Sequence, residues 1–185
     1  MRTNTQQIFE RLSKGEFLSV DSSNQTIKHL FNDIEENYQD YYDYFNEIGF
    51  SLDGGVGYYY FSRINEKPQS IEQKLDSFTK WIDYLDFLKG YNQAFSAGYQ
   101  FRKAQIVEQI NLNVELKDKA VKLFKKYGEG SNQEIVTKLL NEMVSIGFAE
   151  LIGEQDETFK VTSAFNYAEE LVNLIQIANE DEIPE

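Results

Sequence analysis

The chain has 185 residues, enough for one domain or two small ones, and a formal net charge of −13. It contains one His and no Cys, which excludes disulfides, thiol nucleophiles, zinc ribbons and sites that need two histidines. No apolar run is long enough to span a membrane and the N-terminus lacks a signal-peptide pattern, so we expect a cytoplasmic protein without membrane contacts.

The first third of the chain is predicted to form helices, one short strand and a β-hairpin. Apolar residues at helical spacing predict helices over 5–13, 27–34 and 38–48, and residues 16–20 predict a strand. Hairpin strands are predicted over 50–52 and 58–63, because the glycine-rich residues 53–57 between them are typical of a turn.

The middle of the chain, residues 69–98, is predicted to connect two halves. Apolar side chains at spacings of three and four predict the longest helix, ending at Gly90. Its regular stripe can pack internally or against another copy of the protein. Residues 93–98 form a looser stretch after it.

The second half repeats the plan of the first. Helices are predicted over 99–110, 115–127 and 131–146, hairpin strands over 148–152 and 158–161, and a closing helix through residue 178. Ser131 and Glu134 have the spacing of a capping box, which indicates that a helix starts there. Residues 181–185 form an acidic tail that we expect to fray.

A repeated junction indicates the fold class. Ile48-Gly49-Phe50 follows a predicted helix and precedes a hairpin, and Ile146-Gly147-Phe148 does the same 98 residues later. Glycine suits the left-handed residue that ends a helix. We therefore predict a mainly α protein with small β-hairpins, arranged as tandem winged-helix domains. The predicted division is an N-terminal domain over 1–68, a connecting helix and linker over 69–98, and a C-terminal domain over 99–180.

Charge and aromatic residues provide the candidate binding residues. An acidic chain repels nucleic acid and favours basic protein partners. Residues 102–126, however, carry a local charge of +4. They are either the solvated face of a helix or a contact for DNA phosphates, with candidates Arg102, Lys103, Lys119, Lys122, Lys125 and Lys126. Aromatic residues are frequent anchors of protein interfaces, and the candidates here are Tyr38, Tyr44 and Trp81.

The inventory of catalytic residues is nearly empty. His29 is read as a structural residue at or near the surface. Residues 54–57 are followed by a predicted strand, which favours a turn over a phosphate-binding loop. The acidic residues 35, 36, 40 and 43 are read as a solvated helix face. We therefore predict no enzyme activity, no metal and no cofactor.

The first half carries a family resemblance. Residues 5–18, from Thr5 to Leu18, then Leu30-Phe31, then residues 44–50 running into Gly57-Tyr58-Tyr59-Tyr60-Phe61, resemble the MksE/MukE-like subunits of bacterial condensins. The resemblance implies a tandem winged-helix (KITE) protein. It further implies a non-catalytic, nucleoid-associated homodimer that binds a kleisin, and through it an SMC-like ATPase, in chromosome organisation or plasmid defence.

Two other functions stay open from the sequence. One is a winged-helix transcription regulator, although residues 131–146 contain only Lys138 against Glu134 and Glu142. The other is a stand-alone protein-interaction module. The condensin hypothesis also allows non-specific contact with double-stranded DNA, because the basic residues are concentrated in one segment of an otherwise acidic chain.

Overall fold

The protein folds into two helix-and-sheet units that pack on each other. The computed structural model describes residues 4–64, 68–127 and 130–180, so the predicted acidic tail over 181–185 lies outside the described residues. We call residues 5–63 the first unit and residues 68–180 the second unit. No helix in these described ranges is long and apolar enough to cross a membrane.

The first unit has three helices and a three-stranded antiparallel sheet. Its sheet has the strand order β1-β3-β2, so the strand that precedes α2 pairs with the second hairpin strand. Asn24 caps α2 by accepting hydrogen bonds from the backbone N–H groups of Thr26 and Ile27. The elements are α1 (Thr5–Leu12), β1 (Leu18–Ser19), α2 (Gln25–Glu36), α3 (Tyr38–Glu47), β2 (Phe50–Gly55) and β3 (Tyr58–Arg63).

The second unit repeats this sheet and adds helices. Its order β4-β6-β5 matches the first sheet strand for strand. Ser131 and Glu134 form the predicted capping box at the start of α7. The elements are α4 (Pro68–Tyr91), β4 (Gln100–Arg102), α5 (Lys103–Leu112), α6 (Val114–Tyr127), α7 (Asn132–Ile146), β5 (Ala149–Gly153), β6 (Thr158–Val161), a 3₁₀ turn (Ser163–Phe165) and α8 (Asn166–Glu180).

Three sequence predictions of element bounds are corrected. The helix predicted over 99–110 begins only at Lys103, because Gln100–Arg102 pair with β6 as a strand. Helix α4 continues past Gly90 to Tyr91; a Cβ at Gly90 would lie 3.2 Å from the Lys119 side chain, so the glycine allows α6 to approach. Strand β5 starts at Ala149, one residue after Phe148.

The two predicted Ile-Gly-Phe junctions have the same backbone conformation. Gly49 and Gly147 have φ values of +87° and +88°, in the left-handed region that glycine reaches without steric cost. Upstream of them, Tyr41 and Phe45 of α3 and Leu139, Leu140 and Met143 of α7 are buried on one face of each helix, since residues three or four apart lie on the same face.

The two cores are unequal, and the second draws on the first unit. The first core is formed by residues of α1–α3 and the first sheet. The second core includes Tyr84, Leu85, Phe87 and Leu88 of α4, so the apolar stripe of that helix packs internally. It also includes Tyr58 of the first unit, and Phe17 packs against it.

Candidate functional site

The exposed face of α3 is acidic, and the exposed face of α7 carries one acid and one base. On α3, Asp40, Asp43 and Glu47 are exposed and the helix contains no Lys or Arg. On α7, the exposed face holds Glu134 and one base, Lys138. Since the phosphate backbone of nucleic acid is anionic, these faces suit a basic or neutral protein segment better.

The predicted anchor Tyr38 lies on the surface of the first unit. Its side chain is 38% exposed, and its hydroxyl donates a hydrogen bond of 3.2 Å to the Leu52 carbonyl. Its ring stacks on Tyr42 at 5.8 Å. Burial, followed by the neighbouring Tyr42 and Asp53, raises the pKa of Tyr38. The residue is therefore held in one orientation while part of its ring faces solvent.

The other two predicted anchors are partly built into the cores. Tyr44 is half-buried and packs edge-on against Phe45, with ring centroids 5.4 Å apart. Trp81 is half-buried on α4, where its ring meets Phe148 at 4.8 Å and Tyr84 at 5.4 Å. Trp81 thus packs against the second core, and Tyr38 and Tyr44 lie on α3.

The predicted DNA-contact residues do not all present free charges. Lys103 pairs with Glu157 in the turn of the second hairpin. Lys119 and Lys126 pair with Asp86 and Asp83 of α4, at 2.7 and 2.5 Å. The exposed residues without an acidic partner among the described residues are Arg102, Lys122 and Lys125. The structure therefore splits the predicted basic segment into paired and unpaired cations.

A polar seam, which the sequence did not predict, joins the two units. Glu150 of β5 accepts hydrogen bonds from the Ser22 hydroxyl, and from the backbone N–H and hydroxyl of Ser23 at 2.6 and 2.5 Å. Its cross-strand neighbour Lys160 pairs with Asp21, whose carboxylate also accepts two hydrogen bonds of 2.8 Å from Ser163. Two adjacent charges on the second hairpin thus hold one loop of the first unit.

A backbone contact runs beside this seam. The N–H of Phe17 donates a hydrogen bond of 2.8 Å to the carbonyl of Ile146, at the end of α7. The hydroxyl of Tyr58 donates to Glu170 at 2.7 Å. The seam leaves no local signal in the sequence, because its partners lie more than 120 residues apart.

The remaining candidate chemistry is sparse. His29 is exposed and its Nε2 lies 3.2 Å from the Asn4 side-chain amide, as expected of a surface structural residue. Within residues 4–64, 68–127 and 130–180, no group of three or more His, Asp or Glu side chains is arranged to hold a metal ion. The geometry that these residues offer is one of binding surfaces.

A comparison with protein families gives a match that spans both units. A family model described as condensin complex protein MksE matches residues 3–172, from before α1 into α8. A search of curated proteins finds no match. The family match agrees with the resemblance carried by residues 5–18 and 44–61, and it extends that resemblance through the second half.

Proposed function

The chain belongs to the MksE family of condensin complex proteins, and on that premise we propose that it is a non-catalytic subunit that binds a kleisin. Family membership implies a place in an SMC-type complex. The observation that carries the proposal is that the match runs through both helix-and-sheet units. The match therefore takes in both sheets and ends within α8.

In this proposal each unit is a winged helix. The features that support it are the strand order β1-β3-β2, repeated as β4-β6-β5, and a helix that ends in a left-handed glycine before each hairpin. In DNA-binding proteins of this general plan, the helix before the hairpin meets the major groove. Here those helices, α3 and α7, carry a net negative charge, which favours a protein partner.

The proposed partner segment is basic, because it has to meet α3. Asp43 and Glu47 are exposed on that helix, next to the partly exposed Tyr38. The aromatic ring of Tyr38 supplies contact area for the partner. The two carboxylates orient the partner and increase its rate of association. The complex formed with the kleisin would then act on the nucleoid, in chromosome organisation or in plasmid defence.

The test is binding to the kleisin of the same genome, measured by calorimetry on the full-length proteins. We expect a complex of about micromolar affinity or tighter. Charge reversal on α3, Asp43→Lys with Glu47→Lys, should weaken it about tenfold or more, because opposite charges are replaced by like charges. The matched control, Glu108→Lys with Glu115→Lys, changes the net charge equally on α5 and α6 and should retain affinity. A kleisin that does not bind the wild-type chain would refute the proposal.

Homodimerisation is the second part of the proposal. Light scattering after size-exclusion chromatography should give twice the chain mass of 21.6 kDa. A monomer at all concentrations up to about 100 µM, well above the dissociation constants of stable dimers, would contradict it.

A secondary contact with duplex DNA is proposed for the unpaired cations. Lys122 and Lys125 are exposed on α6. Lys122→Glu with Lys125→Glu should weaken binding to a non-specific duplex at low salt, and should reduce its salt dependence, since each phosphate contact contributes to that slope. The control, Lys14→Glu with Lys28→Glu, changes charge equally in the first unit. Tight, sequence-selective binding by the isolated chain would instead favour a transcription regulator.

A further inference from the structure

An aromatic cleft opens where the first unit, α4 and α8 meet. Its volume is about 430 Å³, within the range typical of ligand sites. Its walls come from β3, α4, the junction after α7 and α8, so neither unit forms it alone. The side chains that matter here are Asp53, Tyr60, Trp81, Phe148 and Tyr167.

The aromatic rings of the cleft form a connected wall. Tyr60 and Tyr167 have ring centroids 4.8 Å apart, and Trp81 meets Phe148 at 4.8 Å. Phe17 contacts Tyr60, Phe148 and Tyr167 at 5.0 to 5.2 Å and joins the two pairs. Trp81, Tyr60 and Tyr167 are each half-buried, so the wall is fixed by packing and still reachable from solvent.

The polar groups of the cleft have unused hydrogen-bonding capacity. Asp53 accepts from the hydroxyls of Ser51 and Ser62, at 2.8 and 2.5 Å, which fixes its carboxylate. In the part of the chain that the structure describes, Asp53 pairs with no cation, and the hydroxyls of Tyr60 and Tyr167 have no protein partner. The cleft thus offers one carboxylate and two phenol oxygens beside aromatic faces.

The Asp53 carboxylate places a negative charge beside the two phenols. Burial, the neighbouring Tyr60 and the Asp53 carboxylate raise the pKa of Tyr167 to about 12. Burial, followed by Asp53 and Glu170, raises the pKa of Tyr60. Among the described residues that line the cleft, the cation is Lys14, which is exposed at the edge and therefore well screened by solvent.

We propose that this cleft binds an arginine side chain presented by a protein partner. A guanidinium group is planar, stacks on aromatic faces and presents five N–H donors, which match the phenol oxygens and the carboxylate. The chain shows the same geometry elsewhere, with the Arg63 guanidinium 5.1 Å from the Phe50 ring centroid. An anionic group would be repelled by Asp53, and a purely apolar group would leave the hydroxyls of Tyr60 and Tyr167 without partners.

The proposal depends on the residues that line the cleft and does not depend on which protein supplies the arginine. If the kleisin is the partner, one of its arginines enters the cleft. If the kleisin does not bind, the cleft can still be tested with a small probe, so the two proposals fail separately.

The test uses the one tryptophan of the chain, Trp81, as a reporter in the wall of the cleft. The full-length protein is titrated with N-acetyl-arginine amide and with N-acetyl-citrulline amide, which has a similar shape and no charge. We expect a saturable fluorescence change with the arginine probe at about 1–10 mM, a range reasonable for one side chain, and a response at least tenfold weaker with citrulline.

Two variants sharpen the test. Asp53→Asn should weaken binding of the arginine probe about tenfold, because a charge-assisted hydrogen bond is lost. Asp118→Asn, which removes an exposed acid of α6 outside the cleft lining, should leave it unchanged. The comparison of the two probes on the wild-type chain remains decisive even if Asp53→Asn does not fold. No saturable change, an equal response to citrulline, or tighter binding of N-acetyl-leucine amide would overturn the proposal.

Discussion

The first and second units share one backbone plan and use it in different surroundings. Both place a left-handed glycine between a helix and a hairpin, and both sheets add a third strand next to the second hairpin strand. The first junction faces solvent, since a Cβ at Gly49 would meet no atom within 4 Å. The second faces the first unit, since a Cβ at Gly147 would lie 2.9 Å from the Phe17 carbonyl oxygen.

A second contrast lies in the hairpins. Counting from each Ile-Gly-Phe, Leu52 and Glu150 hold the same position. Leu52 is fully buried in the first core, whereas Glu150 is hydrogen-bonded to Ser22 and Ser23 across the seam. The repeated sequence therefore determines the local backbone geometry. The contact between the two units determines whether the side chain at this hairpin position is apolar or charged. Four experiments test this contrast.

The largest effect is expected for the phenylalanines that follow the two glycines. Phe148 is 1% exposed and contacts Phe17 and Trp81, so Phe148→Ala should cost about 3–5 kcal/mol of unfolding free energy. Phe50 is half-buried, and Phe50→Ala should cost roughly half as much. Urea denaturation of both variants gives the comparison. Equal losses of unfolding free energy would show that contact with the first unit does not make the second junction more important for stability than the first junction.

The glycines should follow the same order. Gly49→Ala should cost about 1–2 kcal/mol, the usual penalty of a left-handed residue with a Cβ. Gly147→Ala should cost about 3 kcal/mol, because overpacking against the Phe17 backbone is added. Thermal unfolding followed by circular dichroism measures both. A smaller loss of stability for Gly147→Ala than for Gly49→Ala would contradict the close approach of the two units at Gly147.

The polar seam should give a smaller effect. Glu150→Gln keeps the shape and removes the charge that Ser22 and Ser23 bind, so we expect a loss of about 1–2 kcal/mol. Hydrogen exchange should increase at the amide of Ser23. Glu154→Gln, at an exposed position in the same hairpin, is the control and should stay within about 0.5 kcal/mol of wild type. No difference between the two variants would exclude a stabilising role for the seam.

The smallest effect is expected from pH. The pKa of Tyr167 is raised to about 12 in the folded chain, while a phenol in an unfolded chain titrates near its ordinary value of about 10. The stabilising contribution is therefore complete below about pH 10 and is lost as the pH rises from about 10 to 12. Denaturant unfolding across this range should show a shallower decline for Tyr167→Phe. A steeper decline in the variant would contradict the assigned direction.

Local signals in the sequence predicted most elements. The junctions at Gly49 and Gly147 and the capping box at Ser131 each depend on residues within four positions of one another. The sequence did not predict strand β4, because Gln100–Arg102 is only three residues long and runs directly into α5. These residues form a strand because they pair with β6. A short strand that depends on a distant partner leaves little pattern of its own.

The candidate sites were predictable only in part. Tyr38 is partly exposed, and Lys122 and Lys125 have no acidic partner in the ranges that the structure describes, whereas Lys119 is held by Asp86 across 33 residues of sequence. Trp81 was selected as an aromatic residue, but its companions Asp53 and Tyr167 were not. They come together only after the two units pack, and no spacing in the sequence encodes that packing.

The position of Phe17 has a consequence for synthesis on the ribosome. Its ring packs against the second core and contacts Phe148 and Tyr167, which emerge 131 and 150 residues later. The first unit can complete its own core earlier, because those residues all precede Arg63. Until the last helix emerges, the nascent chain therefore has an uncovered aromatic surface around Phe17, Tyr58 and Tyr60. This exposed surface is open to chaperone binding or self-association.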